Sequence, residues 1–294
     1  MKSGFAAIVG PPNVGKSTFL NEVLGFKLAI TSDKPQTTRH RLLGVFNRPE
    51  LQVVFLDTPG LHQAKGPLNR RMVRTALATL DDVDAVLFMT DHSQKGRAAA
   101  RGLAPRLAKS GLPVVLALNK IDLLERKDRL LPLLQEVQDW GDWRAVVPIS
   151  ALKGDGCQRV VDELAELLPP GPPVFPEDMV TDLSLRFLAS ELIREKVFRM
   201  SQQEVPYATA VTVDQYLEPA EEGRPTAITA TIHVERDSQK GILIGKRGAM
   251  IKRIGTAARR DMEKLIGTPV FLDLFVRVEP KWSRRPRGLD KLGY

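Results

Sequence analysis

Between residues 3 and 168 short apolar runs alternate with longer stretches of helical spacing. The runs are Phe5–Val9, Leu51–Asp57, Ala85–Thr90, Val114–Asn119 and Ala145–Ile149. They are rich in Val, Leu, Ile and Ala and uninterrupted by charge until their last residue, the pattern of strands in a parallel sheet covered on both faces. Ser17–Leu24, Pro67–Thr79 and Lys127–Trp140 have the length and spacing of helices, so the pattern predicts a doubly wound α/β domain over residues 1–168. The pattern breaks at Leu168-Pro-Pro-Gly-Pro-Pro-Val-Phe-Pro176, which neither a helix nor a central strand accepts. Residues 169–180 therefore read as an extended, fairly stiff linker. Beyond it the grammar is that of an α+β domain over 181–279: an amphipathic helix Leu183–Ser201, strands Tyr207–Gln215 and Ala227–Glu235, a glycine-punctuated basic stretch, a helix 249–265 and a strand Val270–Val278. The element order is α-β-β-α-α-β. Residues 280–294 form a basic tail of little periodicity.

Composition adds two points. A content of 43% hydrophobic and 27% charged residues is that of a soluble globular chain, and no apolar run reaches the length of a membrane span. The single cysteine, Cys157, rules out a disulfide framework and fits a reducing cytoplasm. The N-terminal apolar stretch runs straight into a glycine-rich loop and does not read as a signal peptide. The net charge of +8 is unevenly spread: residues 240–294 hold 14 Lys/Arg against 5 Asp/Glu, and the rest of the chain is nearly neutral. A polyanionic partner at the C-terminal end is expected.

The candidate chemistry begins at Gly10-Pro11-Pro12-Asn13-Val14-Gly15-Lys16-Ser17, a G-x-x-x-x-G-K-S loop between a strand and a helix. Such a loop turns backbone N–H groups onto phosphate oxygens at a positive helix end, with Thr18 next in the same helix. Lys16 is placed to reach the β- and γ-phosphates and Ser17 to ligate Mg²⁺. Asp57-Thr58-Pro59-Gly60 ends the second apolar run: Asp57 can hold Mg²⁺, and the Gly60 N–H can reach a γ-phosphate. In Asn119-Lys120-Ile121-Asp122 the carboxylate of Asp122 matches the N1 and 2-amino donors of guanine, a pair adenine lacks. Asn119 braces that loop and the stem of Lys120 covers the base. Ser150, Ala151 and Leu152 follow the fifth run and offer a backbone N–H to the guanine oxygen.

With these four motifs in order, residues 3–168 resemble the translation-factor-related P-loop GTPases. The resemblance makes Lys34–His40 the first switch, with Thr38 favoured as its Mg²⁺ ligand and Thr37 the alternative. It also marks two departures. Leu61 stands where Ras-like enzymes place the glutamine that orients water, and neither His62 nor Gln63 fills that position, so slow intrinsic hydrolysis is expected. Asn13 sits where potassium-using GTPases hold K⁺, which makes K⁺ a candidate cofactor beside GTP/GDP and Mg²⁺. The expected catalytic set is Lys16, Thr38, Gly60 and Asn13, with Ser17, Thr38 and Asp57 around the metal.

In the second domain Gly245-Lys246-Arg247-Gly248 lies between two helix-like segments. Its glycines permit close approach to a nucleic-acid backbone, and its two cations meet phosphates. Ile242, Leu243 and Ile244, with Met250, Ile251 and Ile254 beyond the loop, are expected to form the core and groove wall; Gly241, Ile242, Ile244 and Ile251 are among the expected RNA contacts, with Lys252, Arg253 and Arg259 on the basic helix face. Trp282 could stack on bases or anchor the tail, while Arg284, Arg285 and Arg287 could meet phosphates. Together with the element order, this resembles a type II KH domain. The whole chain, down to "LFVRVEPKWSRRPRGLDKLGY", resembles the Era family of bacterial GTPases. That resemblance implies a molecular switch that binds the 3′ end of small-subunit ribosomal RNA and serves maturation and assembly of the small ribosomal subunit, with peripheral association at the inner membrane face. A monomer is expected. The alternative reading is an RNA-binding assembly scaffold whose GTP hydrolysis is incidental.

Overall fold

The computed structural model describes residues 1–294 except 33, 35, 62–65, 220 and 222. The chain forms two compact units, one of Met1–Ala29, Thr38–Lys65 and Asn69–Asp182, the other of Ile30–Thr37, Gly66–Leu68 and Leu183–Tyr294.

The first unit is built on β1 (Lys2–Val9), α1 (Lys16–Leu24), β2 (Leu42–Arg48), β3 (Leu51–Asp57), α2 (Pro67–Ala78), β4 (Ala85–Asp91), α3 (Gln94–Arg101), α4 (Ala104–Ala108), β5 (Val114–Asn119), α5 (Leu130–Gln138), β6 (Ala145–Pro148) and α6 (Cys157–Leu167). The strands form one sheet in the order β2-β3-β1-β4-β5-β6. Every residue of β3, β4 and β5 is buried, which is why these segments read as continuous apolar runs. Phe88 and Trp143 meet on one side of the sheet (centroids 5.7 Å apart), Phe19 and Phe55 on the other (5.9 Å). The sheet is not wholly parallel: β2 runs antiparallel to β3, from Leu42↔Asp57 to Arg48↔Leu51. The pattern of apolar runs does not reveal β2, because Gly44 and Asn47 interrupt it and its two-residue turn is Pro49-Glu50, with Glu50 at φ 61°, where Asn-Gly would have been conspicuous.

The proline-rich stretch expected as an extended, fairly stiff linker is tied to the first unit. The Gln52 side chain is fully buried, accepts from the Val174 and Phe175 amides (2.7 and 2.9 Å) and donates to the Phe175 carbonyl (2.8 Å). The Val45 amide donates to the Val180 carbonyl (2.8 Å), and Thr181 Oγ1 to the Leu43 carbonyl (2.6 Å). Val174 and Phe175 are thus tied to Gln52 of β3, and Val180 and Thr181 to β2, and the first unit runs on to Asp182. An exposed sheet edge supplies the hydrogen bonds that a proline-rich stretch cannot make within itself.

The second unit holds α7 (Leu185–Met200), β7 (Ala210–Leu217), β8 (Thr226–Val234), α8 (Asp237–Ile244), α9 (Ala249–Ile266), β9 (Val270–Val278) and α10 (Pro286–Lys291). Its sheet has the order β7-β8-β9, with β7 antiparallel and β9 parallel to β8. Ile193, Val197, Ile228, Ile232, Leu243, Ile254 and Met262 fill its core. Two expectations change here. α7 is not amphipathic in the simple sense, because every residue from Glu191 to Phe198 is buried, the charged ones included. The tail, which reads in sequence as basic and of little periodicity, also holds a short helix, α10, and Trp282, Leu289 and Leu292 form a small core with Ala210. No helix among the described residues is long and apolar enough to cross a membrane.

Candidate nucleotide site and RNA-contact surface

The glycine-rich loop joins the end of β1 to α1. Gly15 adopts φ 99°, and a Cβ there would stand 2.2 Å from Asn119 Nδ2, so the loop and the β5 loop approach as closely as glycine allows. Asn119 ties them together. Its Nδ2 donates to the Val14 carbonyl (2.7 Å), while its Oδ1 accepts from the Lys120 and Ala151 amides (2.7 and 2.9 Å). Ser150 Oγ donates to Asp122 Oδ1 (2.7 Å), which fixes one oxygen of the carboxylate expected to read guanine. Leu152 is exposed.

Lys120 shows what the motif reading missed. Its Nζ donates to the Asn13 carbonyl (2.6 Å) and to Asp91 Oδ2 (2.8 Å), and Ser93 Oγ donates to Asp91 Oδ1 (2.5 Å). Burial pushes Asp91 upward, but the hydrogen bonds from Lys120 and Ser93 prevail and hold its carboxyl below the ordinary range. Asp91 ends β4 beside β5, opposite Asn119, and only the strand order reveals that neighbourhood.

At the other end of the loop Lys16 and Asp57 lie in one buried group. Lys16 Nζ donates to the Pro11 carbonyl (3.0 Å) and lies 3.3 Å from that of Gly10. Burial lowers its ammonium to about 8, against the pull of Asp57. Burial likewise raises the Asp57 carboxyl to about 6, against the pull of Lys16 and the hydrogen bonds of Ser17, Thr38 and Thr58. Ser17 Oγ lies 2.8 Å from Thr38 Oγ1 and 2.9 Å from Asp57 Oδ2, and Thr38 Oγ1 lies 3.4 Å from Asp57 Oδ2. Asp57 Oδ1 is buried with no hydrogen-bond partner among the described residues. Hard oxygens converging with one unsatisfied carboxylate oxygen are the donor set that Mg²⁺ takes. Of the two competing threonines it is Thr38 whose hydroxyl joins this group. Thr37 belongs to the second unit, and its carbonyl accepts from Arg194.

The remaining loop residues divide by role. Thr58 Oγ1 donates to the Ile8 carbonyl (2.8 Å), a tie back to β1. Pro59 and Gly60 are buried. Leu61 is 5% exposed in the core with Val86 and Phe88, and its amide donates to the Gly10 carbonyl (3.0 Å). The leucine side chain is thus spent on packing. His62 and Gln63 lie outside the described residues. The Asn13 side chain is exposed, at φ 65°.

In the second unit the turn Lys246–Gly248 separates α8 from α9. Gly245 has φ 70°, and a Cβ there would stand 2.8 Å from the Met250 Cβ. Lys246 and Arg247 are exposed, as are Gly241, Lys252, Arg253 and Arg259; Arg259 lies 3.5 Å from Glu263. Ile242 is half exposed, Ile244 and Ile251 are partly buried, and Leu243 and Ile254 belong to the core. Arg284, Arg285 and Arg287 are exposed. Trp282 is a correction as a base-stacking residue. It is 2% exposed, its Nε1 donates to the Ala208 carbonyl (2.9 Å), and its ring packs on Tyr294 (5.3 Å). An indole sealed on its faces and satisfied at its N–H anchors the tail.

Comparison with known proteins bears directly on this arrangement. Residues 5–120 match the family described as 50S ribosome-binding GTPase, and residues 204–283 match the KH domain. GTPase Era of Geobacter metallireducens is 53% identical over 293 residues, covering 100% of this chain and 98% of that protein. GTPase Era of Syntrophus aciditrophicus is 50% identical over 294 residues, covering 100% and 95%. Among solved structures, an Aquifex aeolicus Era variant bound to GDP and AlF4⁻ superposes with a TM-score of 0.93 at 41% identity, covering 100% of this chain and 99% of that one. Era in complex with MgGDPNP and nucleotides 1506–1542 of 16S ribosomal RNA superposes with a TM-score of 0.96, also at 41% identity and with the same coverage. Full-length identity of this order means that the chain belongs to the Era family of GTPases.

Proposed function

We propose that this GTPase is a nucleotide-controlled switch that grips the 3′ end of small-subunit ribosomal RNA and acts in maturation and assembly of the small subunit. The observation that carries the switch reading is the convergence of Ser17, Thr38 and Asp57 oxygens beside buried Lys16. The amides of the Gly10–Ser17 loop cradle the GTP phosphates, and Lys16 sets its charge against the β- and γ-oxygens, where the triphosphate returns the affinity for protons that burial removes. Ser17, Thr38 and Asp57 would hold Mg²⁺, directly or through water, and the ion would neutralise charge developing between the β- and γ-phosphates. The Thr38 hydroxyl would complete the Mg²⁺ shell in the GTP state and let go of the ion after hydrolysis. Asp122 selects guanine, and the Gly60 N–H faces the γ-phosphate.

With Leu61 turned into the core, no side chain at that position can align the attacking water, so the intrinsic rate is slow. Exposed Asn13 is placed to help hold K⁺ against the phosphates, a positive charge where other GTPases use an arginine. In the second unit the Gly245–Gly248 turn and the exposed cations of α9 take the RNA backbone; that the RNA is the 16S ribosomal 3′ region is supported by the complex of a relative with nucleotides 1506–1542 of 16S ribosomal RNA.

The test measures GTP turnover and affinity for an oligonucleotide of the 16S ribosomal RNA 3′ end, in GTP-analogue and GDP states and in KCl and NaCl at matched ionic strength. RNA affinity that differs between nucleotide states, with faster turnover in KCl, is expected. Identical affinity in both states overturns the switch, and identical rates in both salts overturn the potassium site.

A further inference from the structure

The turn from β4 into α3 is built around one carboxylate. Asp91 closes β4, opposite Asn119 of β5, and is buried. Its Oδ1 accepts from the Ser93 amide (3.0 Å) and from Ser93 Oγ (2.5 Å). The same Oγ accepts from the Gly96 amide (3.0 Å) and so caps α3. Gly96 lies inside that helix without a positive φ, where alanine is the better helix former. What leaves no room for alanine is the carboxylate itself: a Cβ on Gly96 would stand 2.2 Å from Asp91 Oδ1 and 2.8 Å from its Cγ. With Oδ1 fixed in this way, Oδ2 is aimed at Lys120 Nζ, 2.8 Å away.

Lys120 bridges two loops of the nucleotide site. Its amide donates to Asn119 Oδ1 (2.7 Å) in the loop after β5, and its Nζ to the Asn13 carbonyl (2.6 Å) in the phosphate loop. A lysine stem is flexible and its ammonium strongly hydrated. A third of this side chain is exposed, so water competes for the ammonium. A charged acceptor fixed beside it tips that competition, because charge-assisted hydrogen bonds are the stronger ones. We propose that Asp91 is a positioning residue for nucleotide retention: aimed by Ser93 and given room by Gly96, it holds the Lys120 ammonium on the Asn13 carbonyl, which keeps the lysine stem over the guanine ring and ties the base loop to the phosphate loop. This rests on Lys120 covering the base in the bound state. All of these residues belong to the first unit.

The experiment uses the full chain and compares Asp91→Ala, Gly96→Ala and Lys120→Met. Release of fluorescent GDP and of a fluorescent GTP analogue is timed by stopped flow, preference for GDP over inosine diphosphate by competition, and ligand-free stability by thermal unfolding. Asp91→Ala should speed release of both nucleotides about tenfold, the low end for losing a charged hydrogen-bond partner. Gly96→Ala touches no nucleotide and favours the helix, and the carboxylate end it displaces can move. Its melting temperature should therefore hold while release speeds several-fold. Lys120→Met should speed release at least as much as Asp91→Ala, and combining the two should add nothing, since both act through one ammonium. Preference for GDP over inosine diphosphate, which lacks the 2-amino group, should survive in the Asp91 and Gly96 variants because Asp122 is untouched. Loss of that preference, or faster release only in step with a lower melting temperature, marks a structural role and overturns the proposal. Release speeded by Lys120→Met but not by the Asp91 and Gly96 variants also overturns it and leaves Lys120 over the base. Release unmoved by Lys120→Met removes both. One measurement needs no variant to fold: GDP-bound wild type should show a slowly exchanging Lys120 ammonium in nitrogen NMR, and its absence refutes the positioning role.

Discussion

Asp57 offers a direct test of the metal site, because its protonation is set by burial. The carboxylate is fully buried, with Oδ2 near Ser17 and Thr38 and Oδ1 without a partner among the described residues, and its carboxyl is raised from 3.8 to about 6. A rise of about two units is about 3 kcal/mol in favour of the neutral form. The sign follows from linkage. Below the unfolded value both states are protonated and Asp57 contributes nothing. Between about pH 4 and 6 the unfolded chain gives up a proton that the folded one keeps, so ligand-free stability from this group falls as pH rises and stays low above 6. A bound dication reverses the preference and draws the carboxyl back down. The assay is carbon NMR of protein labelled at aspartate carboxyls, with Asp57→Asn identifying the resonance. The ligand-free midpoint should lie near 6 and move below about 5 with Mg²⁺ and a GTP analogue. Apparent Mg²⁺ affinity should fall about tenfold per pH unit below 6. A ligand-free midpoint near 4 refutes the burial reasoning. A midpoint near 6 that ignores Mg²⁺ and nucleotide refutes the metal site.

Further outcomes follow from the same geometry. Lys16, lowered by burial to about 8, should take up a proton when the triphosphate binds near pH 8, so binding heats should depend on buffer ionisation there; buffer-independent heats refute this. Trp282→Ala removes a buried indole and its bond to the Ala208 carbonyl, and should destabilise the second unit by about 3–5 kcal/mol in denaturant unfolding. RNA affinity at low temperature, where that unit remains folded, should change little. Lys246→Ala with Arg247→Ala should leave the melting temperature unchanged and reduce the slope of log affinity against log salt by about 1.4 for single-stranded RNA. Asn13→Ala should remove the KCl advantage in turnover while GDP affinity is kept. An advantage retained in that variant places the cation elsewhere.

The nucleotide motifs were readable because each is a short local segment whose chemistry depends on its own backbone: the loop before α1, the aspartate ending β3, the asparagine and aspartate after β5. The buried strands were readable for a related reason, since burial on both faces leaves no polar alternation to obscure them. β2 escaped because an edge strand tolerates glycine and asparagine, and its identity lies in its pairing with β3. The linker reading failed for the same reason. Proline content says that residues 169–180 cannot make their own ladder, but not that the Gln52 amide and the β2 edge supply one.

Taken alone, the sequence determined which chemistries are present: a phosphate cradle, a guanine-reading carboxylate, a basic GKRG turn and an excess of charge at one end. Those depend on residue type and local spacing, which a linear chain displays. Tertiary structure decided which groups share one volume. It placed the Thr38 hydroxyl beside Ser17 and Asp57 and left the Thr37 carbonyl accepting from Arg194. It turned Leu61 into the core, brought Asp91 to Lys120, and closed Trp282 away from bases. It also lined α7 with charges that spacing marks as a solvated face and folding encloses. Burial and proximity between distant segments set pKa values, metal geometry and access, and neither is a property of any window of sequence.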